Sequence, residues 1–510
     1  MLKLKKGAFA ALSIALIMAQ VLTGCASSNS EGSANPGGSD SPSTEASSPT
    51  EISMQTLIWG TPPDVASSPF YKELQERTNV ELSIDFVTSP SFTEKINLAL
   101  ASRKLADITV VKNFTDANIV NAINQGAFLD LTPYLSDMSK YPNLAMIPEN
   151  IWADSKINGK IYGIPNATGL ISESLLIRKD WLEELNLKTP ETMDELTEVM
   201  KAFKANKPDI AAPMATYGTY PMAIGMYAHG TLNPEVEGQG LQLIKQLTPY
   251  FRDYLEYARN LYQEKLIPAE YSVLKAGQEV EMFQQGKAGV LQRPIHNAWK
   301  IEKELKKTDP QGEVMVLPPL KGTADYAQFA RDSFFGAFMI PASVDKDKVE
   351  KILEYLEQSA SKEINELRQF GIEGIHHKVE NGEKVVTDAD ALAKDVGGSV
   401  YVIVNAYNKY FEIDQQSDIP SEFKDDLKKK TDMYYEQSKL DPGVGLISDT
   451  YAKRSADVFK DLETNITKVI VGQSTIEDWD AYVDQLLNNS TVQTMMQEFE
   501  EQYKIKQSAQ

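Results

Sequence analysis

Apolar side chains recur with two alternating periods along the first part of the chain. Residues 80–86 are apolar at every second position, which is the period of a β-strand, and short apolar runs at 56–59 and 108–111 are typical of buried strands. Residues 92–100 and 119–123 instead place apolar side chains on one helical face. Strands that alternate with helices predict a parallel sheet covered by helices, and therefore an α/β fold.

Local residue choices indicate where these elements begin and end. Ordered structure is predicted from about Met54. Ser68, directly before a proline, is expected to cap a helix, and Ser91 and Thr192 each precede a glutamate by the spacing of a capping box. The last third of the chain is mostly amphipathic helix, interrupted by a predicted hairpin over 377–386 that turns at Asn-Gly.

The start of the chain carries the pattern of an export signal. Three lysines precede a mostly apolar run at 7–22, which is shorter than the roughly 20 residues of a membrane-spanning helix. The run ends in Leu-Thr-Gly-Cys, which resembles the lipobox of bacterial lipoproteins and implies cleavage before Cys25 and diacylglycerol on its sulfur. An ordinary signal peptide with a chance cysteine is the alternative. We predict a lipoprotein signal peptide over 1–24 and a lipidated flexible tether over 25–53, so that the protein lies at the extracellular face of the cell membrane.

Composition and charge narrow the class of protein further. The formal net charge is −21, and removal of the lysine-bearing signal makes the mature chain more acidic still. Such a surface repels nucleic acid and anionic lipid headgroups, so we expect no nucleic-acid partner and membrane contact through the lipid anchor only. Cys25 is the only cysteine, which leaves no intrachain disulfide, and 510 residues are enough for two separate cores.

Several segments in order resemble family 1 extracellular solute-binding proteins, the carbohydrate-capturing lipoproteins of ABC importers. The segment at 124–134 includes Leu-Asp-Leu-Thr-Pro-Tyr, which is similar to a family motif. Further similar segments lie at 158–165, 177–182 and 283–290, and those at 371–376 and 479–480 resemble a longer subgroup that is common in Gram-positive bacteria.

The resemblance implies a two-lobe, periplasmic-binding-protein type II fold with hinge strands and a helical C-terminal region, similar to the maltose-binding type. Lobe 1 is expected over 54–166 plus 335–372, and lobe 2 over 167–334 plus 373–510. The chain is expected to cross between the lobes near 166–172, near 330–336 and again within 360–376. The ligand would hold the lobes closed by contacting both of them.

The same resemblance implies the partners. These are a carbohydrate ligand, most simply a neutral or weakly charged oligosaccharide, and the permease subunits of an ABC importer. We expect a monomer with no cofactor. We also expect no metal, because residues 201–209 lack the spaced acidic oxygens of the calcium loop found in some long members of the family.

Candidate ligand-binding residues follow from the rule that ligands of open α/β sheets lie beyond the carboxyl ends of strands. Sugar recognition needs flat aromatic faces together with amides and charged groups that bond hydroxyls, and the hinge segments add further polar residues. The expected set is Trp59, Thr61, Lys112, Asn113, Asn166, Glu173, Tyr217, Arg293, His296, Trp299, Arg331 and Asp332, with Gln292 beside them. The tryptophans could equally be core residues, the Arg331–Asp332 pair could be a structural ion pair, and Arg178 is expected to be structural.

Enzyme signals are weak. The four histidines have no metal-binding spacing, the adjacent His376 and His377 are expected at the surface, and no Walker or nucleophile-elbow motif occurs. We therefore expect no enzyme. The alternatives are a secreted lipoprotein glycoside hydrolase that uses Glu173 or Asp332, and a binder of a peptide or other small solute that feeds a membrane sensor.

Overall fold

The computed structural model describes residues 48–508 except 59, 115, 168–172, 239, 327–333, 381, 398–400, 415 and 417–418. The predicted signal peptide, Cys25 and most of the tether lie outside these residues. The strands are β1 Thr50–Ile58, β2 Val80–Thr88, β3 Ile108–Val111, β4 Lys156–Ile157, β5 Lys160–Ile161, β6 Gly163–Ala167, β7 Ser174–Arg178, β8 Met214–Ala215, β9 Glu235–Val236, β10 Gly240–Leu241, β11 Val290–Arg293, β12 Val314–Val316, β13 Phe334–Met339, β14 His377–Glu380 and β15 Glu383–Val386.

Helices follow most of the strands and dominate the last third of the chain. They are α1 Pro69–Thr78, α2 Phe92–Ser102, α3 Ala117–Asn124, α4 Glu149–Asp154, α5 Lys179–Glu184, α6 Met193–Asn206, α7 Gly225–Ala228, α8 Pro249–Gln263, α9 Gln278–Gln284, α10 Ala298–Thr308, α11 Lys346–Ser359, α12 Lys362–Phe370, α13 Ala389–Val396, α14 Phe411–Asp414, α15 Ser421–Gln437, α16 Asp449–Val458, α17 Leu462–Ile470, α18 Ile476–Leu487 and α19 Ser490–Ser508. Within the described part of the chain, no helix is both long and apolar enough to cross a bilayer.

The first sheet has the strand order β2-β1-β3-β13-β6. Strands β1, β2 and β3 are parallel, as the sequence pattern predicts, whereas β13 runs antiparallel to both β3 and β6. β1 begins at Thr50, before the predicted boundary at Met54, because Thr50 already pairs with Val80. The predicted tether over 25–53 is therefore too long at its carboxyl end.

A second sheet has the order β12-β7-β11-β8 and a separate core. β7 is antiparallel to β11 and β12, and β8 is parallel to β11. Each sheet is thus the centre of one lobe, and the chain passes from the first sheet to the second between Ala167 and Ser174. It returns between Val316 and Phe334. The residues that make the first two predicted crossings lie largely outside the described residues.

The third crossing differs from the prediction. Residues 401–404 are buried in the core of the first sheet, where the hydroxyl of Thr56 donates to the Tyr401 carbonyl and the hydroxyl of Tyr355 donates to the Val402 carbonyl, both at 2.7 Å. Ile413 packs in the core of the second sheet. The crossing therefore lies after residue 404 rather than within 360–376, and the stretch up to 404 packs on the first lobe because its apolar side chains fill that core.

The two predicted capping boxes have different outcomes. Thr192 caps α6 with reciprocal hydrogen bonds to Glu195, as predicted. Ser91 makes no capping hydrogen bond, because a 3₁₀ turn over Ser89–Ser91 already gives it a helical backbone conformation, whereas a side-chain cap needs an extended one. Ser68 caps α1 as predicted, accepting from the Tyr71 N–H, and the hairpin of β14 and β15 is also confirmed.

The C-terminal helices α16–α19 form a bundle on the second lobe that also contacts the first lobe. The ring of Trp479 in α18 lies 5.6 Å from that of Phe251 in α8, and α16, α18 and α19 pack around Ile244 and Leu247. α16 also contacts α3. In α19, the ammonium of Lys506 lies 2.8 Å from the buried carboxylate of Asp154 in α4. The bundle therefore joins the two lobes at a second place besides the crossings.

Candidate functional site

The candidate site lies at the ends of the two sheets that the crossing segments join. β3 ends at Val111 and β6 at Ala167 in the first sheet. In the second sheet, β11 ends at Arg293, which pairs with Ser174 at the start of β7, and β8 ends at Ala215. Because β6 leads through the first crossing into β7, the residues just beyond these ends lie near the hinge. The strand-end rule therefore brings Glu173, Arg293 and Tyr217 to one edge of the second sheet.

Arg293 and Tyr217 lie together at this edge. The guanidinium of Arg293 forms an ion pair with Glu279, whose side chain is almost completely buried, and lies 5.8 Å from the centre of the Tyr217 ring. The other carboxylate oxygen of Glu279 accepts a hydrogen bond of 2.8 Å from the Gly277 N–H. The positive charge of Arg293 is thus balanced from the inside of the lobe. The Tyr217 ring remains 37% exposed.

Glu173 is positioned by Gln292 of the neighbouring strand. The amide nitrogen of Gln292 donates to a Glu173 carboxylate oxygen at 3.4 Å, and the amide oxygen of Gln292 accepts from the Ile224 N–H at 3.2 Å. Because the Ile224 N–H fixes the orientation of the amide, Glu173 is presented at the crossing in a defined position. The sequence reasoning selected both Glu173 and Gln292.

Asn166 lies inside the hinge, with an exposed fraction of 1%. Its side-chain oxygen accepts from the Asn405 N–H at 3.0 Å, and the Asn405 amide nitrogen donates to the Ala167 carbonyl at 3.2 Å. Arg368 donates to the Asn405 amide oxygen at 2.8 Å and to Asn365 at 3.1 Å. Burial lowers the pKa of Arg368 to about 10, so it remains charged at neutral pH. These groups link the first and third crossings, which gives Asn166 a structural position rather than a place on the cleft surface.

His296 and Trp299 face the segment that follows the third crossing. The ring of His296 lies 4.0 Å from the Glu412 carboxylate, and its carbonyl accepts from the Gln416 side chain at 2.7 Å. The ring of Trp299 lies 5.3 Å from that of Phe423, and Trp299 packs against the core of the second lobe. The structure thus places Trp299 as the core alternative describes.

The first lobe contributes residues beyond β1 and β3. Thr61 is exposed, Lys112 donates to the Ser89 hydroxyl at 3.3 Å, and Asn113 is exposed directly after it. Trp59, Arg331 and Asp332 lie outside the described residues, so their predicted roles stay predictions.

Two other residue sets show what the sequence pattern does and does not reveal. Arg178 is 1% exposed and pairs with Asp180 and Asp309, which confirms its structural role. The predicted surface position of His376 and His377 is wrong, because both are buried. The Nδ1 of His376 accepts from the Ile372 N–H at 2.9 Å, so its Nε2 carries the proton towards Asp395 at 3.0 Å.

Sequence reasoning missed Glu279, the internal partner of Arg293. It lies on α9 among polar neighbours, where a glutamate is typical of an exposed helix face, and only the fold shows that it is buried. Among the described residues, no group of three or more His, Cys, Asp or Glu side chains is arranged to hold a metal ion.

Comparison with known proteins identifies the type of molecule that this arrangement resembles. A family model described as bacterial extracellular solute-binding protein matches residues 70–372. Lipoprotein LipO of Bacillus subtilis (strain 168) is 26% identical over 491 residues, covering 92% of this chain and 93% of that protein. The polygalacturonan/rhamnogalacturonan-binding protein YtcQ of the same strain is 26% identical over 450 residues, covering 85% and 87%.

Solved structures share the fold. The alginate-binding protein AlgQ2 without calcium ion matches with a TM-score of 0.64 and 21% identity, covering 89% of this chain and 98% of that one. The substrate-binding protein FusA of Streptococcus pneumoniae in complex with kestose matches with a TM-score of 0.64 and 19% identity, covering 90% and 100%. These similarities confirm the predicted two-lobe α/β fold.

Proposed function

The chain belongs to the bacterial extracellular solute-binding proteins, and we propose on this basis that it captures a carbohydrate between its two lobes for an ABC importer. The observation that carries the proposal is the edge of the second sheet near the hinge. There an exposed aromatic ring, Tyr217, lies beside the charge-balanced Arg293 and the amide-positioned Glu173. An aromatic face with a few convergent polar groups is typical of a binding site for a small polar molecule.

Binding and closure would be coupled. Tyr217 would pack against the C–H face of a sugar ring, while Glu173 and Gln292 would bond hydroxyl groups from the second lobe. Lys112 and Asn113 would do so from the first lobe. A ligand that contacts both lobes stabilises the closed arrangement by its additional contacts there, and the permease subunits of the importer would recognise that arrangement.

The ligand is an oligosaccharide in this proposal. YtcQ is named for polygalacturonan and rhamnogalacturonan, and FusA for fructooligosaccharide, so relatives of similar length are named for saccharides of several residues. The pairing of Arg293 with Glu279 favours a neutral or weakly charged saccharide, because the guanidinium is already compensated.

The lipid anchor on Cys25 completes the proposal. A relative that covers 92% of this chain is named a lipoprotein, and the lipobox-like sequence ends at the only cysteine. The protein would act as a monomer at the extracellular face of the cell membrane, held by lipid beside its importer, without a cofactor and without catalysis of its own.

A thermal-shift screen of the lipoprotein purified in detergent tests the proposal. The panel contains disaccharides and tetrasaccharides of galactan, fructan, mannan and galacturonan, with short peptides as the competing class. A saccharide at 100 times its Kd should stabilise the folded protein by about 2.7 kcal/mol and raise the Tm. Chromatography of the same mixtures should show no saccharide cleavage. A response to peptides alone would contradict the proposal, and turnover would favour a glycoside hydrolase.

A further inference from the structure

A cavity of about 850 Å³ lies between the first lobe and the C-terminal bundle. On the first lobe it is lined by the segment after β3 and by α3, including Asn113, Asn118 and Asn121. On the other side it is lined by residues 243–246 of the second lobe and by the start of α16. Its walls therefore come from both lobes, and it borders the candidate site at Asn113.

Tyr451 supplies an aromatic surface in this cavity. Its ring lies 5.4 Å from that of Phe499 in α19 and 6.2 Å from that of Phe459 at the end of α16. These neighbours hold the ring in place, yet Tyr451 remains 41% exposed. An aromatic residue that is fixed by packing and still accessible offers contact area at a low cost in side-chain entropy.

The charged side chains that line the cavity have partners close by. Lys245 forms an ion pair with Asp441, and Lys453 lies 3.6 Å from Asp449. The carboxylate of Asp116 accepts a hydrogen bond of 2.9 Å from the backbone N–H of Asn118 in α3. The other polar lining is mainly amide and hydroxyl groups, which suit the hydroxyls of a neutral sugar better than a phosphate or a carboxylate.

We propose that this cavity is a distal subsite that binds a neutral hexose residue of an oligosaccharide, with Tyr451 as the platform for the sugar ring. The inference rests on the proposed function and specifies it, since it makes affinity depend on saccharide length. In this proposal a disaccharide occupies the hinge edge alone, whereas a tetrasaccharide would extend past Asn113, which lines the cavity together with Tyr451. The bundle that carries Tyr451 is held to the first lobe by the ion pair between Lys506 and Asp154.

Calorimetric titration of the lipoprotein in detergent with the galactan, fructan, mannan and galacturonan disaccharides and tetrasaccharides tests the subsite. Tyr451→Ala should weaken binding of a neutral tetrasaccharide about tenfold, equivalent to about 1.4 kcal/mol, and leave disaccharide binding unchanged. Tyr451→Phe should bind like the wild type because it keeps the ring. Tyr435→Ala is the matched control, because Tyr435 is 38% exposed on α15 and does not line the cavity.

The outcomes separate the subsite from the proposed function. Equal tetrasaccharide affinity in the wild type and Tyr451→Ala would overturn the subsite while leaving saccharide capture intact. A Tyr451→Ala effect that is equal for both chain lengths would also overturn it. If no saccharide of the panel binds the wild type, the proposed function fails and the subsite fails with it.

Discussion

Replacing Asn405 with alanine should destabilise the hinge side of the first lobe. The Asn405 side chain is 2% exposed and makes two hydrogen bonds, one to the Ala167 carbonyl and one from the Arg368 guanidinium. Asn405→Ala removes both hydrogen bonds and leaves the Ala167 carbonyl and the Arg368 guanidinium in place without this partner. Its backbone N–H can still donate to Asn166, so the chain path at the crossing is retained.

The expected magnitude follows from burial. A buried polar group that loses its partner costs about 1–3 kcal/mol, and here a carbonyl and a guanidinium N–H each lose one. The two losses add to about 2–6 kcal/mol. Because single substitutions seldom cost more than about 4 kcal/mol, we expect the free energy of unfolding to fall by about 2–4 kcal/mol. For a lobe of this size, each kcal/mol lowers the Tm by about 2–4 °C, so the first-lobe transition should move down by roughly 4–16 °C.

Differential scanning calorimetry measures this shift, with Asn206→Ala as the control. Asn206 is exposed at the end of α6 and makes one side-chain hydrogen bond, to the Ala202 carbonyl. The control should change the Tm by little, because water replaces that bond. If Asn405→Ala lowers the Tm no more than Asn206→Ala does, the buried hinge network does not stabilise the lobe and the reasoning is refuted.

Three further predictions concern packing, charge and pH. Gly371→Ala should lower the free energy of unfolding by at least about 2 kcal/mol, because the φ of Gly371 is +66° and a Cβ there would lie 2.4 Å from the ring of the buried His376. Gly374→Ala is the control: Gly374 has a φ of +79° but open space around it, so the loss should be clearly smaller, and equal losses would contradict the packing argument. Glu279→Gln should strengthen calorimetric binding of the galacturonan tetrasaccharide several-fold by freeing the Arg293 charge, and unchanged binding would mean that this charge does not face the ligand. Burial lowers the pKa of His229, so the unfolded chain binds a proton more readily than the folded one, and the free energy of unfolding should fall as the pH drops below about 6.5. In urea titrations at several pH values, His229→Gln should show a smaller fall than the wild type. An equal dependence of the free energy of unfolding on pH would contradict this prediction.

Much of the fold is predictable from local pattern. The period of two over 80–86 specifies β2, and the short apolar run at 108–111 specifies β3, because buried strands need only a few consecutive apolar residues. The third crossing was not predictable. An amphipathic helix such as α13 requires an apolar partner, but its sequence does not state which of two cores supplies that partner.

The candidate site shows the same division. The strand-end rule finds Glu173, Gln292 and Arg293 because strand ends can be identified from the chain itself. It does not find Glu279, whose burial depends on how α9 packs. It also selects Trp299, whose ring packs against Phe423 beside the core of the second lobe. Contacts between distant segments decide these cases.

Lobe closure on saccharide binding tests the central claim most directly. Leu98 in the first lobe and Val273 in the second are 65% and 75% exposed, so cysteines introduced at these two positions can carry spin labels. Cys25 is the only native cysteine, and when its sulfur carries lipid it does not react with the label. Double electron–electron resonance measures the distance between the two spin labels. The distribution of this distance should shift and become narrower when the panel saccharide that most raises the Tm is added. A control pair within the first lobe, Leu98→Cys with Met146→Cys, should not change. Saccharide binding with an unaltered interlobe distance would contradict capture between the lobes.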